Sequence, residues 1–290
     1  MASLRQAKRD DAVEILPLLA RFNNPGVCLE DFLHLFVDNS RCGFDFVGYM
    51  LEEQGKPVGF LAYTFSQRTI RGNLELLCNI SNWIVLEKYR HQSLSLLMPA
   101  LRLPGVTITN FTPMPDVLAI CYKLGFKDLP AKQRIVLPVP PLRWGTQHVN
   151  VITNASEIRK RATPDQLRLM DDHSLPHHRY VLVDSPQGGC LLILNRVHKR
   201  VVGNFKLPFV RIHHISDAEL CLRSISQIVA LCARRFGVVG AIVEDRYLLG
   251  HPVPFSFDRP GSTNVAAFRS STLSANDIDG LYSELVLLNY

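Results

Sequence analysis

Along the chain, segments in which every second residue is apolar alternate with longer segments in which apolar residues recur every three or four positions. In the first half, these patterns predict strands at residues 3–7, 44–53, 58–66, 74–86, 106–111 and 135–139, and helices at residues 10–22, 29–37, 93–103 and 116–124. Gln54–Pro57 has the composition of a hairpin turn between two of the strands. Gly125 follows the last helix, where glycine commonly ends helices. We therefore expect a mixed α/β lobe with the order βααβββαβα(β).

A similar order partly recurs in the second half. The pattern predicts helices at residues 155–170 and 217–236 and strands at residues 180–184, 190–196, 208–215 and 238–244. Thr163 or Asp165 would cap a second helix if the first of these is split, and Asp217 has the position of an N-cap. Turn-forming residues are expected to end the first helix of the chain at Asn23–Gly26 and to connect two strands of the second half at Ser185–Gly189.

Leu137–Pro141 is the best candidate for a linker, because its closely spaced prolines exclude both helix and inner strand. We therefore expect two α/β lobes, residues 1–142 and 143–290, with the order of elements suggesting an internal duplication.

Composition limits the classes of function. The chain has 290 residues, 47% of them hydrophobic and 20% charged, which is typical of a soluble globular protein. A net charge of +6 and a pI near 9.0 fit a phosphorylated cofactor or an acidic small substrate. Because the basic residues are not clustered with aromatic ones, a nucleic-acid partner is disfavoured.

The cysteines and the N-terminus indicate a compartment. The seven cysteines are odd in number, form no CxxC pair and lie mostly in apolar runs, as expected for a reducing environment. The first residues lack the apolar stretch of a signal peptide, and no segment approaches the ~20 apolar residues of a membrane span. We expect a cytoplasmic protein with no membrane partner.

The most informative segment is residues 82–97, in which an apolar strand leads through a short polar loop into an apolar helix. A helix N-terminus there would offer unpaired backbone N–H groups and the positive end of the dipole, which suit a pyrophosphate. Arg90 and the small side chains of Ser93 and Ser95 leave room for phosphate oxygens and can donate hydrogen bonds.

This segment resembles the GNAT acyltransferase superfamily. Arg90–Ser95 lies on the family frame Arg/Gln-x-x-Gly-x-Gly/Ala, with Val85 and Tyr89 at the usual spacing before it. Downstream, Tyr122–Phe126 is similar to the family's KLGF ending of the helix after its fifth strand. The resemblance covers residues 3–139 and implies a fold of two GNAT-like acyl-CoA N-acyltransferase lobes, of which the second is degenerate.

The resemblance also implies a cofactor and its binding residues. Acetyl-CoA, or another acyl-CoA, would be the co-substrate, its pantetheine arm inserting between two splayed strands, and no metal is expected. The residues implied in binding are Trp83, Ile84, Val85, Arg90, His91, Gln92, Ser93, Leu94, Ser95 and Asn110.

Catalytic roles follow the same resemblance, with two departures. Both family glycines are serines here, Ser93 and Ser95, and a Cβ limits the approach of the backbone to a phosphate. At the position of the family's tyrosine acid stands Cys121, which is either an acid for the leaving thiolate or an ordinary buried cysteine. Tyr122 is one residue further on, a rotation of ~100° around a helix. Glu75 is the candidate base, with a solvated strand-end charge as the alternative.

The second lobe carries weaker signals. Asp171–His178 is rich in histidine, but its spacing fits no closed zinc site, so a turn is favoured over a metal site. Contact of His177 or His178 with the acceptor is a further alternative. Asp217 and Glu219 open the long helix, where carboxylates would repel a pyrophosphate. We expect this lobe to bind the acceptor or to support the first lobe.

The sequence thus predicts an acyltransferase that moves an acyl group, in the simplest case acetyl, from coenzyme A to an amine or hydroxyl of a small molecule or peptide. The alternative is a catalytically inactive GNAT-like protein that binds coenzyme A or acts as a structural or regulatory module. The protein would be a monomer or a homodimer.

Overall fold

The computed structural model describes residues 2–22, 27–139, 149–186, 188–202, 205–259 and 265–289. The expected break at Asn23–Gly26, the end of the linker at Pro140 and Pro141, and Gln187 of the second break lie outside these ranges. The chain forms two units, Met1–Pro130 with Val265–Leu288, and Ala131–Asn264 with Asn289. These divisions differ from the expected boundary at residue 142, because the C-terminal segment returns to the first unit.

The first unit contains a seven-stranded mixed sheet. Its strands are β1 (Ser3–Ala7), β2 (Gly48–Glu53), β3 (Lys56–Ile70), β4 (Asn73–Val85), β5 (Val106–Asn110), β6 (Lys127–Leu129) and β14 (Ala266–Arg269), in the order β1-β2-β3-β4-β5-β14-β6. The hairpin between β2 and β3 and the long strand β4 confirm the pattern-based predictions. Among the described strand pairs of this sheet, β4 and β5 are parallel and the others are antiparallel.

The helices of the first unit are short. They are α1 (Ala12–Leu19), α2 (Met98–Leu101), α3 (Pro115–Lys123) and α7 (Glu284–Leu287), with 3-10 turns at Arg9–Asp11, Ala20–Phe22, Glu30–Leu35, Ser40–Cys42, Glu87–Leu96 and Ala275–Asp277. The helix expected at residues 29–37 is instead a 3-10 turn that buries Phe32 and Leu35. These residues are three positions apart, and such residues lie on the same side of a 3-10 helix as they do on an α-helix.

The helix expected at residues 93–103 was also wrong. A 3-10 segment ends at Leu96, and α2 starts at Met98 with Pro99 in its first turn. Proline lacks an N–H and clashes with the preceding turn, and it is favoured in the first turn of a helix, so Pro99 favours a new helix starting here over one continuous α-helix.

The second unit contains the other seven-stranded sheet. Its strands are β7 (Gln133–Val136), β8 (Asn150–Ile152), β9 (His178–Ser185), β10 (Gly188–Val202), β11 (Phe205–Ile215), β12 (Ala241–Glu244) and β13 (Ser256–Asp258), in the order β13-β7-β12-β11-β10-β9-β8. Its helices are α4 (Ala155–Arg161), α5 (Pro164–Asp172) and α6 (Ala218–Phe236), with a 3-10 turn at Asp245–Leu248.

Polar side chains start all three helices of this unit. Asn154 caps α4, Thr163 caps α5 in a capping box, and Asp217 caps α6, as expected for two of the three. Among the helices in the described ranges, α6 included, none has the length and apolarity to cross a bilayer.

The two sheets share one strand order. In each, the fourth and fifth strands are parallel, and the sixth strand comes from the opposite half of the chain: β14 lies between β5 and β6, and β7 lies between β12 and β13. The strand expected to close the first lobe, residues 135–139, therefore belongs to the second sheet. The common order supports the predicted duplication.

Each sheet has an apolar core on one face and a further apolar cluster on the other, where Phe60 and Ala62 of the first sheet pack with α1. In the first unit, Tyr63, Cys78, Ile80 and Ile108 pack with Cys121 and their apolar neighbours. In the second, α6 packs its apolar stripe on β9–β12. The opposite face of the first sheet is where the candidate site lies.

Candidate functional site

The site starts where the parallel pairing of β4 and β5 ends. These strands pair from Leu76 with Val106 as far as Asn79 with Thr109. Beyond this point, β4 continues to Val85 and pairs with β3, Ile84 facing Phe60. One edge of β4 therefore carries backbone groups with no strand partner among the described residues. Such an edge can pair with an extended ligand.

A β-bulge lies on this open part of β4. Between the pairs Ala62–Ser81 and Phe60–Ile84, β4 has one residue more than β3, and Asn82 takes a φ of 54°. Asparagine tolerates this left-handed conformation better than most residues. A bulge leaves a residue unpaired and turns its backbone groups out of the ladder.

Polar atoms without partners surround the bulge. Within the described chain, Ser81 Oγ, Asn82 Oδ1 and Trp83 Nε1 are buried and make no hydrogen bond. Buried polar atoms are rarely left unpaired in folded proteins, because their desolvation costs about 1–3 kcal/mol each. The bulge is therefore suited to a ligand that supplies hydrogen-bonding groups.

The face of the sheet beside the bulge is polar and buried. Strand register places side chains of β3, β4 and β5 on this face: Thr64, Ser66, Asn79, Ser81, Thr107 and Thr109, all buried. Buried strands usually carry apolar residues on both faces, so a row of hydroxyl and amide groups marks this face as different from a structural core.

A segment from the C-terminus covers this face. We call residues 270–288 the C-terminal strap. Ser270 Oγ lies 2.6 Å from Thr107 Oγ1, and Thr272 Oγ1 donates to Glu75 Oε2 at 2.9 Å. The Arg68 guanidinium pairs with the Asp279 carboxylate. The strap is therefore fastened to the strands by polar contacts.

The strap places a carboxylate at the end of the parallel pairing. Glu284, only 1% exposed, accepts a hydrogen bond of 2.8 Å from Asn79 Nδ2 at Oε2 and one of 2.6 Å from Thr112 Oγ1 at Oε1. Thr109 Oγ1 in turn donates to Asn79 Oδ1 at 3.2 Å. Asn79 and Thr109 are the last parallel pair, so Glu284 lies where β4 and β5 separate.

A small cavity lies beside Asn79 and Thr109, the last parallel pair. Its volume is about 10 Å³, and its lining residues are Ser66, Arg68, Leu77, Asn79, Thr109, Phe111, Asp279 and Tyr282. A polar cavity of this volume has room for about one water molecule. Two of the lining residues, Asp279 and Tyr282, belong to the strap, so the strap forms part of the cavity wall.

The predicted catalytic residues are not gathered at this point. Glu75 is half-buried, four residues before Asn79 on β4, where it binds Thr272. Cys121 is fully buried in the core on the opposite face, where burial raises the pKa of its thiol to about 11. The exposed hydroxyl of Tyr122 donates to Asp128, which raises the pKa of the tyrosine.

The predicted phosphate loop takes a different form from that expected. Residues Glu87–Leu96 form 3-10 turns, so most of their backbone N–H groups bond within the loop, and the long helix N-terminus expected there does not form. Ser95 Oγ donates to Gln92 O at 2.6 Å. Arg90 and His91 are exposed, Leu94 is largely exposed, and Gln92 and Ser93 are half-buried. Cation and hydroxyl groups are thus present, without the predicted dipole.

The remaining predicted binding residues lie on the two strands. Trp83, Ile84 and Val85 occupy the part of β4 that has an open edge, and Asn110 ends β5, where it is buried and faces Ala267 of β14.

The second sheet has a different group at the equivalent point. Its parallel pairing ends at Arg211 with Ile242. Arg211 Nη2 lies 3.7 Å from Glu244 Oε1, and Arg246 Nη2 lies 2.6 Å from Glu244 Oε2, all three side chains being nearly fully buried. Charged side chains occupy this place instead of the neutral amide and hydroxyl groups of the first sheet.

The histidine-rich segment folds into a turn and the start of β9. His173 Nδ1 lies 2.8 Å from Leu169 O, and the rings of His173 and His178 are 5.7 Å apart. Within the described ranges, no three His, Cys, Asp or Glu side chains are placed to hold a metal ion.

Sequence reasoning missed Glu284 and Thr64. Glu284 follows Tyr282 and Ser283 and precedes the apolar run Leu285–Leu288, and a carboxylate beside such a run was the available signal. Thr64 stands in the apolar strand Val58–Ser66, where a polar residue on a buried strand gives the same kind of signal.

Comparison with known proteins bears on the fold. The sequence matches no protein-family model and no curated protein. The structure is similar to a GCN5-related N-acetyltransferase from Anabaena variabilis, with a TM-score of 0.61 and 12% identity over 93% of this chain and 73% of that one. One from Kribbella flavida gives 0.56 and 13% over 93% and 71%.

A third similar structure is Saccharomyces cerevisiae N-myristoyltransferase with bound myristoyl-CoA, with a TM-score of 0.50 and 10% identity over 97% of this chain and 83% of that one. At these identities the likeness concerns the fold. This chain therefore has the two-lobe GNAT-like fold of N-acetyltransferases and N-myristoyltransferases along nearly its whole length.

Proposed function

We propose that this protein is an acyl-CoA-dependent acyltransferase whose donor site is the open edge of β4. The observation that carries the proposal is the end of the β4–β5 pairing at Asn79 and Thr109, followed by the bulge at Asn82 with its unpartnered polar atoms. An extended, amide-containing arm such as pantetheine can bond to such an edge.

The similar structures support this chemistry. Two are named N-acetyltransferases, and the third, an N-myristoyltransferase, holds myristoyl-CoA. The two names state the transfer of an acetyl group, and the ligand bound to the third protein is an acyl-CoA. The acceptor would be an amine or hydroxyl, of a small molecule or peptide, and acetyl is the simplest acyl group for a first test.

The arm of the cofactor and its pyrophosphate each have residues suited to hold them. When bound, acyl-CoA supplies an activated carbonyl and a thiolate leaving group. The backbone of Trp83–Val85 would hold the arm, and a backbone N–H at the bulge would stabilise the oxyanion. Arg90 would contact the pyrophosphate, with His91, Gln92, Ser93, Leu94 and Ser95 lining the loop around it.

The second unit would bind the acceptor or support the first unit. The buried Arg211–Glu244–Arg246 group takes the place of an open polar edge, and carboxylates start α6. Both features argue against a second coenzyme A site.

Calorimetric titration with acetyl-CoA tests the donor site. We expect saturable binding of one molecule per chain. Arg90→Ala should weaken it several-fold, because an exposed cation near a pyrophosphate contributes about 1 kcal/mol. Arg102→Ala, at the exposed end of α2, is the matched control and should bind as the wild type does. Absence of binding at millimolar acetyl-CoA would refute the donor site.

Thiol release from acetyl-CoA in the presence of amines separates the enzyme from the inactive alternative. Binding without turnover would favour a protein that only holds coenzyme A. The sequence resemblance implies Glu75 as base and Cys121 as acid, although Cys121 lies in the core on the opposite face. Glu75→Gln and Cys121→Ala test these two roles, and unchanged turnover in both would remove them. Tyr122→Phe tests the neighbouring hydroxyl in the same assay.

A further inference from the structure

We infer that the C-terminal strap contributes a catalytic residue, Glu284, and that Thr64 and Ser81 complete a subsite for the nucleophile of the acceptor. The inference rests on the proposed function and specifies which groups of the polar face handle the acceptor and its proton.

The position of Glu284 is the first argument. Its two carboxylate oxygens accept hydrogen bonds from Asn79 and Thr112. Asn79 belongs to the last pair of the parallel strands, and Thr112 comes two residues after the end of β5. The carboxylate is thus held from both sides at the point where β4 and β5 diverge. A base must lie within hydrogen-bond reach of the group it deprotonates, and this carboxylate borders the gap proposed for the thioester.

Two buried hydroxyls without partners are the second, independent argument. Thr64 Oγ1 and Ser81 Oγ make no hydrogen bond within the described residues, although the two residues are only 3% and 4% exposed. Thr64 faces Asn79 across the β3–β4 ladder, and Ser81 is two residues further along β4, so both share the face of Glu284's partner. Unpaired hydroxyls in this position are ready to bond to a polar group between them and Glu284.

The chemistry of the three groups fits an N–H or O–H nucleophile. Hydroxyl oxygens accept a hydrogen bond from the nucleophile and fix its direction, and the carboxylate accepts the proton that leaves it. For an amine, nitrogen attacks the thioester carbonyl and a C–N bond forms. Glu284 takes one N–H proton, the C–S bond breaks, and the proton passes from Glu284 to the thiolate. The products are an amide and free coenzyme A, with no other reactant required.

Glu75 does not compete on position. It precedes Asn79 by four residues on the same strand, which is about 13 Å at ~3.3 Å per residue. Its carboxylate accepts a hydrogen bond from Thr272 of the strap. Glu284 is the carboxylate adjacent to the separating strands.

The test compares Glu284→Gln, Thr64→Val and Ser81→Ala with the wild type, using acetyl-CoA and a mixture of spermidine, ethanolamine and lysine methyl ester as acceptors. We expect Glu284→Gln to lower kcat/KM at least 100-fold, and each hydroxyl variant to raise the KM for the amine several-fold. The kcat/KM of the wild type should decrease at acid pH, because the base is protonated there. We call this decrease the acid limb of the pH profile, and the residual activity of Glu284→Gln should lack it.

Binding and folding are measured on the same variants. Glu284→Gln and Thr64→Val should keep the wild-type affinity for acetyl-CoA, which separates this inference from the donor-site proposal. Ser81 lies at the bulge of the donor site, so Ser81→Ala is judged by the KM for the amine. Thermal unfolding identifies a variant that fails to fold. If Glu284→Gln does not fold, Glu284→Asp takes its place. This variant keeps a carboxylate with a shorter reach, so it should retain the acid limb at a reduced kcat. Glu14→Gln, an exposed glutamate on α1, is the matched control.

Two results would overturn the inference. One is a folded Glu284→Gln enzyme with wild-type turnover and an unchanged acid limb. The other is wild-type protein that binds acetyl-CoA but acylates none of the three amines. Loss of turnover in Glu75→Gln alone would transfer the role of the base to Glu75.

Discussion

Asn79 and Glu284 stand 205 positions apart in the chain, and a 2.8 Å hydrogen bond joins their side chains beneath the surface. The bond fixes the last turn of the strap to the point where the parallel strands separate. It also orients the Asn79 amide, whose oxygen accepts from Thr109. One amide therefore links two strands and the strap.

Removal of this amide should destabilise the protein. In Asn79→Ala, a buried oxygen of Glu284 loses a donor, and the loss of a buried hydrogen-bond partner costs about 1–3 kcal/mol. Urea unfolding measures the difference. Asn150→Ala, at an exposed position of β8, is the control and should change stability by less than about 0.5 kcal/mol. Equal stability of the two variants would show that the bond contributes nothing.

The Arg68–Asp279 ion pair should hold the strap on the sheet. Both side chains are largely buried, 16% and 15% exposed, so Asp279→Asn should cost about 1.5–3 kcal/mol. Hydrogen exchange should become faster at the amides of residues 277–287. Arg71 pairs with Asp277 but is 65% exposed, and Arg71→Ala should cost less than about 1 kcal/mol. Slow exchange retained in Asp279→Asn would contradict the prediction.

His213 should make the protein sensitive to acid. Burial, and then the positive charge of Arg211, lower the pKa of this histidine, with smaller contributions from His178, His173 and His177. The folded state therefore favours the neutral ring, while the unfolded chain takes up a proton near pH 6.5. The stability is present above that pH and is lost as the pH falls through it.

The measurement is the midpoint of acid unfolding by circular dichroism. His213→Asn removes the titrating group and should make unfolding less dependent on pH between 7 and 5. His251→Asn replaces an exposed histidine and should leave the dependence unchanged. An identical response of both variants would be evidence against His213 as a source of the acid sensitivity.

Lys199 should react faster than the other lysines. Burial, followed by the charges of Arg211 and Arg259, lowers the pKa of its amine to about 8. At pH 8 the Lys199 amine is then neutral in about half of the molecules, whereas an ordinary lysine, with a pKa near 10.4, is almost always charged. Brief labelling with an acetyl N-hydroxysuccinimide ester, followed by peptide mass spectrometry, should find Lys199 modified first. Exposed Lys56 serves as the internal reference, and a higher labelling rate at Lys56 would contradict the lowered pKa.

Local signals in the sequence predicted much of the fold. The turn residues Gln54–Pro57 identified the β2–β3 hairpin, Gly125 marked the end of α3 with its φ of 83°, and Asp217 was recognised as the cap of α6. These features depend on residues within one or two turns of each other, so the sequence carries them directly.

Long-range features were not predictable in the same way. No local pattern indicates that Ala266–Arg269 pairs with β5, or that Glu284 lies beside Asn79. Nor does a local pattern indicate that Glu87–Leu96 is a 3-10 segment that buries Tyr89 and Leu96. The polar strand face was visible as Thr64, Asn79 and Ser81, but its role required the covering strap.

The exchanged sixth strands bear on the order of events during synthesis. When the ribosome has released residues 1–130, the first sheet still lacks the strand between β5 and β6, because β14 is encoded some 140 residues later. Nascent N-terminal domains usually fold before the rest of a chain has emerged. In this protein the second sheet, with β7 already available, can be completed first, and the first sheet and its proposed active site mature only when the final segment arrives.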